Sequence, residues 1–167
     1  MNRERIMKLI LTGFFIIFSY IGSLVKFSGS IALDSLPAYF SAIILGPLLG
    51  GFVGLVGHLL TALTSGFPMT LPMHLFISVM MFIIVFLFSI AYRKGNFLGI
   101  ILGIILNGPV AATLSAYIFA NLVDMSISFW NFISLIIVPL TLASSVNIIF
   151  AHILYKAIPK KYYSTYW

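Results

Sequence analysis

Cysteine is absent from this 167-residue chain, and acidic residues number only three. Without thiols there are no disulfides and no thiolate metal ligands, and the absence says nothing about redox compartment. Charge of either sign is scarce. Asp, Glu, Lys and Arg together make up 7% of the residues, against about a quarter in an ordinary soluble domain. A surface so poor in charge cannot be wetted all round, so the solvent around most of the chain is lipid. Also missing are a Gly-rich phosphate loop of the Walker type and any defensible Ser/His/Asp ordering for nucleophilic catalysis. There is no series of buried carboxylates such as an autonomous pump or proton-coupled carrier uses. The reading is one integral membrane domain over residues 1–167, with no stretch assigned to ATP hydrolysis or nucleic-acid binding. A chain of this kind recognises something and relies on others for energy.

What is abundant is apolar: 62% of residues are hydrophobic. A helix needs about 20 such residues to cross a bilayer. Six apolar helices are expected at about 6–26, 34–47, 50–65, 73–92, 97–120 and 131–156, an all-α six-helix transmembrane bundle. The second and third are short, and the "GPLLGG" joint (46–51) between them reads as a tight Pro/Gly turn, with a re-entrant pair as the alternative. Arg3, Arg5 and Lys8 ahead of an apolar run resemble a signal peptide, but the run is long enough to span and no small-x-small site follows. The first helix is therefore read as retained.

Basic residues orient the bundle. With both termini on one side, that side collects Arg3, Arg5, Lys8, Arg93, Lys94, Lys156, Lys160 and Lys161, and the other holds Lys26. By the positive-inside rule both termini are expected in the cytoplasm. The net charge of +6 is then topology, and calls for no nucleic acid. The tail "YYSTYW" (162–167) and Tyr155 suit an aromatic belt on that side. The outer side carries three connections, "FSGSIALD" (27–34), "SGFPMTLPM" (65–73) and "LVDMSISFW" (122–130).

Few polar residues remain for a site. Asp34 precedes Ser35-Leu36-Pro37, which reads as an N-cap of the second helix; pairing with Lys26 or lining a site are the other readings. His58 sits mid-way along the third helix, and His74 follows Pro72 at the outer start of the fourth. Ionisable groups at such depth face protein or a cavity, and neither histidine has the i+4 partner of a metalloprotease motif, so no metal is expected. His152, beside Lys156, reads as interfacial. Asn107 in "NGPVAA" marks an expected kink in the fifth helix, while Asn147 suits a helix-to-helix amide bond. Tyr117 and Asn121 share a helix face; with Tyr39, Phe67, Phe129 and Trp130 they are candidates for an aromatic pocket below the outer loops. Gly46, Gly50, Gly51, Gly54 and Gly57, then Gly99 and Gly103, form small-residue faces for close helix approach.

The run "GSIALDSLPAYFSAIILGPLLGGFVGLVGHLLTALTSGFP" (29–68), "NGPVAA" (107–112), the chain length and the helix count together resemble a known family. It is that of the substrate-specificity (S) components of prokaryotic energy-coupling factor (ECF) vitamin transporters. Within it the chain looks most like members associated with α-ribazole, a cobalamin precursor. The resemblance implies a multi-pass protein of the prokaryotic cell membrane with no catalysis and no cofactor of its own. It implies capture of a vitamin or precursor beneath the outer loops, and docking on a transmembrane coupling subunit that carries two ATPases. For a cargo with a flat ring and a ribosyl group, Asp34, Ser35, Tyr39, His58, His74, Asn107, Tyr117 and Asn121 offer the aromatic faces and hydrogen bonders needed, and are the expected substrate contacts. The resemblance also implies docking through a small-x-x-x-small face on the first helix, here Gly13 and Ile17, with Ser19 and Ser23 as a second pair; Ile17 departs from the family's Ala-x-x-x-Ala pattern. Two other readings compete: a small membrane-embedded enzyme using His58 or His74 as a base, and a scaffold subunit that binds no ligand.

Overall fold

The computed structural model describes residues 3–28, 31–124 and 126–159. Lys160, Lys161 and the aromatic tail lie outside the described residues. The chain runs α1 (Arg3–Ser23), a short antiparallel pairing of β1 (Lys26–Ser28) with β2 (Ile31–Ala32), α2 (Ser35–Leu45), α3 (Pro47–Thr64) and α4 (Leu71–Lys94). A fifth rod, Asn96–Val123, is α5 (Asn96–Ile105) and α6 (Ala111–Ile118), with π-helical turns at Leu106–Val110 and Phe119–Val123; α7 (Phe129–Ala157) closes the bundle. Five of these rods are long and apolar enough to cross a membrane. The sixth, α2, has 11 residues, about 16 Å of helix against a hydrocarbon core of about 30 Å.

Why α2 can be short follows from where it sits. Nine of its residues are buried, from Ser35 and Pro37 through Leu45, so α1, α3, α4 and α7 surround it and lipid does not. Ala38, Tyr39, Ala42 and Ile43 form the main core with Val53, Val85, Phe88 and Ile148. Tyr39 and Phe88 meet edge-on with ring centroids 4.8 Å apart.

Gly46 alone links Leu45 to Pro47, with φ +102°, a left-handed conformation that favours glycine. The reversal brings α3 back against α2 so closely that a Cβ on Gly50 would lie 2.4 Å from the Ala42 Cβ. The same holds at Gly57 against Ser19 Oγ and at Gly99 against the Tyr92 backbone. These small-residue faces pack inside the bundle, where van der Waals contact between backbones drives helix association in lipid.

Two expectations need correction here, those for the connection after α1 and for Asp34, and the kink expected at 107–109 takes a specific form. The connection after α1 holds a small β hairpin, because the chain leaves α1 at Ser23 and Leu33 N–H donates to Val25 O at 3.1 Å. The "NGP" segment is a π turn: Pro109 has no N–H to donate, and a widened turn accommodates it. Asp34 makes no capping bond to α2. Its own φ and ψ (−68°, −30°) are helical, unlike the extended backbone usual at an N-cap.

The turn at Gly46 faces the Arg93 side chain, and Ile44, Leu45, Leu11 and Tyr155 cluster nearby. That end carries the described basic residues other than Lys26. At the opposite end Lys26 Nζ donates to Thr64 O at 3.1 Å, rather than pairing with Asp34.

Candidate functional site

Beneath the β hairpin lies a cavity of about 80 Å³. Its cover is Ala32 of β2 and Met69 of the 65–70 connection; its walls come from the start of α2, from α3, α4, the fifth rod and α7. No residue of α1 lines it. The connection that carries Met69 is tightly wound, with Gly66, Phe67 and Thr70 all at positive φ. That conformation is uncommon for Phe and Thr, and it turns the chain back over the bundle between Thr64 and Leu71.

The polar lining of the cavity is Asp34, Ser35, His58, Asn107, Ser115, Ser144 and Asn147. Asp34 Oδ2 accepts a hydrogen bond from Thr61 Oγ1 at 2.7 Å. The Thr61 hydroxyl also lies 3.0 Å from Gly57 O, and its single proton favours the shorter, carboxyl-directed contact. Ser19 Oγ, from α1, donates to the Asp34 backbone carbonyl at 2.7 Å. The aspartate is thus held through both its side chain and its backbone.

Behind it the histidines form a line. His58 Nδ1 stands 3.9 Å from Asp34 Oδ2, and His58 Nε2 is 3.1 Å from His74 Nδ1. His74 Nε2 is buried without a partner. A bare ring nitrogen is cheaper to bury than an unsatisfied N–H, so the pattern assigns the proton to His74 Nδ1, donating to His58 Nε2. That leaves the His58 Nδ1–H turned to the Asp34 carboxyl. Phe67 meets the His74 ring edge-on at 5.9 Å, closing the line from the 65–70 connection.

On α7, Asn147 is 1% exposed. Its Nδ2 donates to Ala32 O at 3.1 Å and to Ala143 O at 2.9 Å, while Oδ1 has no partner. Two carbonyl acceptors settle the orientation of the amide, since a flipped oxygen would face both of them. The apolar lining includes Ile77, Met80 and Met81 of α4 and Ile136 and Leu140 of α7, with the soft, adaptable surface that methionine provides.

The structure brings together Asp34, Ser35, His58 and Asn107 on the cavity, with His74 one contact behind. Tyr39 stands apart: its ring is fully buried in the core and does not line the cavity. Tyr117 is 60% exposed and Asn121 bonds back to Tyr117 O on its own helix. Trp130, at 75% exposed, also faces outward. The aromatic pocket expected from these residues is not formed; they point outward near that end of the bundle, where amphipathic rings suit an interface. Among the first-helix residues, Gly13 and Ile17 are on the exposed face, whereas Ser19 and Ser23 are fully buried and bonded to Asp34 O and Tyr20 O. Ser19 and Ser23 therefore present no docking surface. His152 reaches Tyr92 Oη through Nδ1.

Thr61, Ser144 and Asn147 were not anticipated as site residues. "SSVN" (144–147) puts three polar residues within four positions of an apolar helix, and Thr61 follows His58 by one turn on the same face. Both signals were available. The methionines gave none, because their spacing is that of ordinary core.

Asp124, on the connection before α7, accepts from Ser126 Oγ and Ser126 N–H, which holds its carboxyl below the usual range.

The family model described as the ECF transporter, substrate-specific component, matches residues 7–159. No curated protein and no solved structure matches the chain. Members of this family are transporter subunits that bind a substrate in the membrane, and they are not enzymes. With a match across all six helical rods and the cavity they enclose, the chain belongs to the ECF transporter substrate-specific component family.

Proposed function

We propose that this protein captures a water-soluble vitamin or precursor, α-ribazole first among them, on the outer face of a prokaryotic cytoplasmic membrane. It passes the cargo inward with a transmembrane coupling subunit and two ATPases. The observation that carries the reading is the cavity under the β hairpin, lined by Asp34, His58 and Asn107 together with Met69, Met80 and Met81. Hydroxyls of a riboside suit Asp34, Ser35 and Asn107, and a flat ring suits the methionine side. The placement of basic residues supports cytoplasmic termini, and with that orientation the cavity opens toward the outer side.

Clefts for ligands of that size run to roughly 300–1,000 Å³, so binding includes displacement of the hairpin and of the 65–70 connection. The exposed face of α1, with Gly13 and Ile17, has no part in the cavity and is the face for the coupling subunit.

The test is uptake of radiolabelled α-ribazole by cells expressing the chain with and without the coupling and ATPase subunits, alongside titration of the purified protein in detergent. Saturable binding by the chain alone, with uptake only in the full assembly, is the expected result. Binding of another vitamin instead would retain the transporter role and remove α-ribazole.

A further inference from the structure

Two buried acceptors face the cavity, one from Asp34 and one from Asn147. Asp34 offers carboxyl oxygens, with Oδ2 receiving its one close side-chain hydrogen bond from Thr61. Asn147 offers Oδ1, a buried acceptor with no partner, whose orientation is set by the two carbonyls that take its N–H groups. No lysine or arginine is among the lining residues. At this end of the bundle Lys26 is bonded to Thr64 O on the exposed surface, away from the lining. The Ser35, Ser115 and Ser144 hydroxyls, the Asn107 amide and the His58 imidazole complete the described polar lining, and none of them carries a permanent charge.

We infer that this cavity takes an uncharged or cationic ligand that donates hydrogen bonds to Asp34 and to Asn147 Oδ1, and that it excludes anionic esters of the same ligand. The inference rests on the substrate-capture reading above and narrows it. A riboside is admitted and its 5′-phosphate is not. A phosphate would bring negative charge beside a carboxyl group, in a low-dielectric space with no lysine or arginine among the described lining residues to offset it. A donor placed against Asn147 Oδ1 satisfies an acceptor that is otherwise buried unpaired, an arrangement that discriminates sharply between ligands with and without the donor. A class of reaction follows from this chemistry: where the available form is a phosphate ester, a phosphatase acting outside the membrane must remove the group before capture.

The experiment is a binding titration on the purified full-length protein with matched pairs: α-ribazole and its 5′-phosphate, riboflavin and its 5′-phosphate, thiamine and its monophosphate. Whichever parent binds, its ester is expected to bind at least about 100-fold more weakly, as like-charge juxtaposition dictates. A smaller penalty overturns the inference and leaves the capture role standing. Silence from all six compounds, with protein shown to be folded by its thermal transition, removes the capture reading and takes the inference with it. Two variants separate the acceptors. Asn147→Leu is expected to weaken the parent by about tenfold, the worth of one hydrogen bond, and an unchanged affinity would remove Asn147 from the site. Asp34→Asn is expected to narrow the gap between ester and parent, and an unchanged gap would show that Asp34 does not set the charge rule. The wild-type comparison decides the proposal even if neither variant folds.

Discussion

Thr61 on α3 donates its hydroxyl to the Asp34 carboxyl at 2.7 Å, joining positions 27 residues apart in sequence. Both groups are buried, so the bond ties the start of α2 to the last turns of α3 and sets the carboxyl at the cavity edge. Thr61→Val keeps the shape and removes the donor. The expected cost is about 1–3 kcal/mol, the penalty for leaving a buried acceptor short of its partner. Thr61→Ser should recover most of it. Thermal unfolding in a fixed detergent reads both, and equal stability of the valine variant and the wild type would show the bond to be dispensable.

The turn at Gly46 and the contact at Gly50 make a second test. A methyl at Gly50 would meet Ala42 at 2.4 Å, backbone atoms included, which no rotamer change can relieve. Gly50→Ala should therefore destabilise by about 1–3 kcal/mol through forced separation of α2 and α3. Gly13→Ala is the control, because nothing lies within 4 Å of the added methyl, and it should leave the thermal transition no lower than that of the wild type.

The two faces of α1 should respond differently. Gly13→Leu enlarges the exposed face and is expected to leave ligand affinity intact while reducing uptake in the assembled transporter by tenfold or more. Ser19→Leu places a bulky side chain where Ser19 is fully buried against Gly57 and bonded to Asp34 O. It should lower stability and ligand affinity together. Normal uptake by the Gly13→Leu protein would move docking to another surface.

Asp124 gives a pH-dependent signature at the surface. Its carboxyl titrates below the ordinary value of about 3.9 because Ser126 bonds to the ionised form. A depressed folded-state pKa contributes stability above the unfolded pKa, and that contribution is lost as the pH falls through the folded pKa. Ser126→Ala should return the titration toward the ordinary value, and the stability difference from wild type should be present at neutral pH and vanish in strong acid. Carboxyl NMR titration reads the first effect and acid unfolding reads the second.

How much of this was legible beforehand depends on the residue. Asp34, His58 and Asn107 stood out because an ionisable or amide group inside an apolar helix is costly and so must face something polar. The structure sets all three on the cavity. Tyr39 and Tyr117 were read as pocket residues from type and approximate depth alone. Aromatic rings are equally at home in a core and at a lipid interface, so type does not choose between them; packing put one ring against Phe88 and turned the other outward. Capping of α2 by Asp34 was inferred from local order, and a tertiary partner, Thr61, drew the carboxyl away.

Composition alone settled that the chain lives in lipid, because 7% charge cannot wet a surface. Hydrophobic run length placed the helices to within a few residues, and Gly46-Pro47 marked the reversal between α2 and α3, because these are properties of consecutive residues. Tertiary structure alone decided which polar groups meet. The line from Asp34 through His58 to His74 and the pinning of Ala32 by Asn147, 115 residues away, join distant segments. The helix-facing direction of each such side chain is a matter of rotation about an axis in a crowded bundle. Many rotations satisfy an apolar pattern, and only close packing at sites such as Gly50 and Gly57 selects one of them.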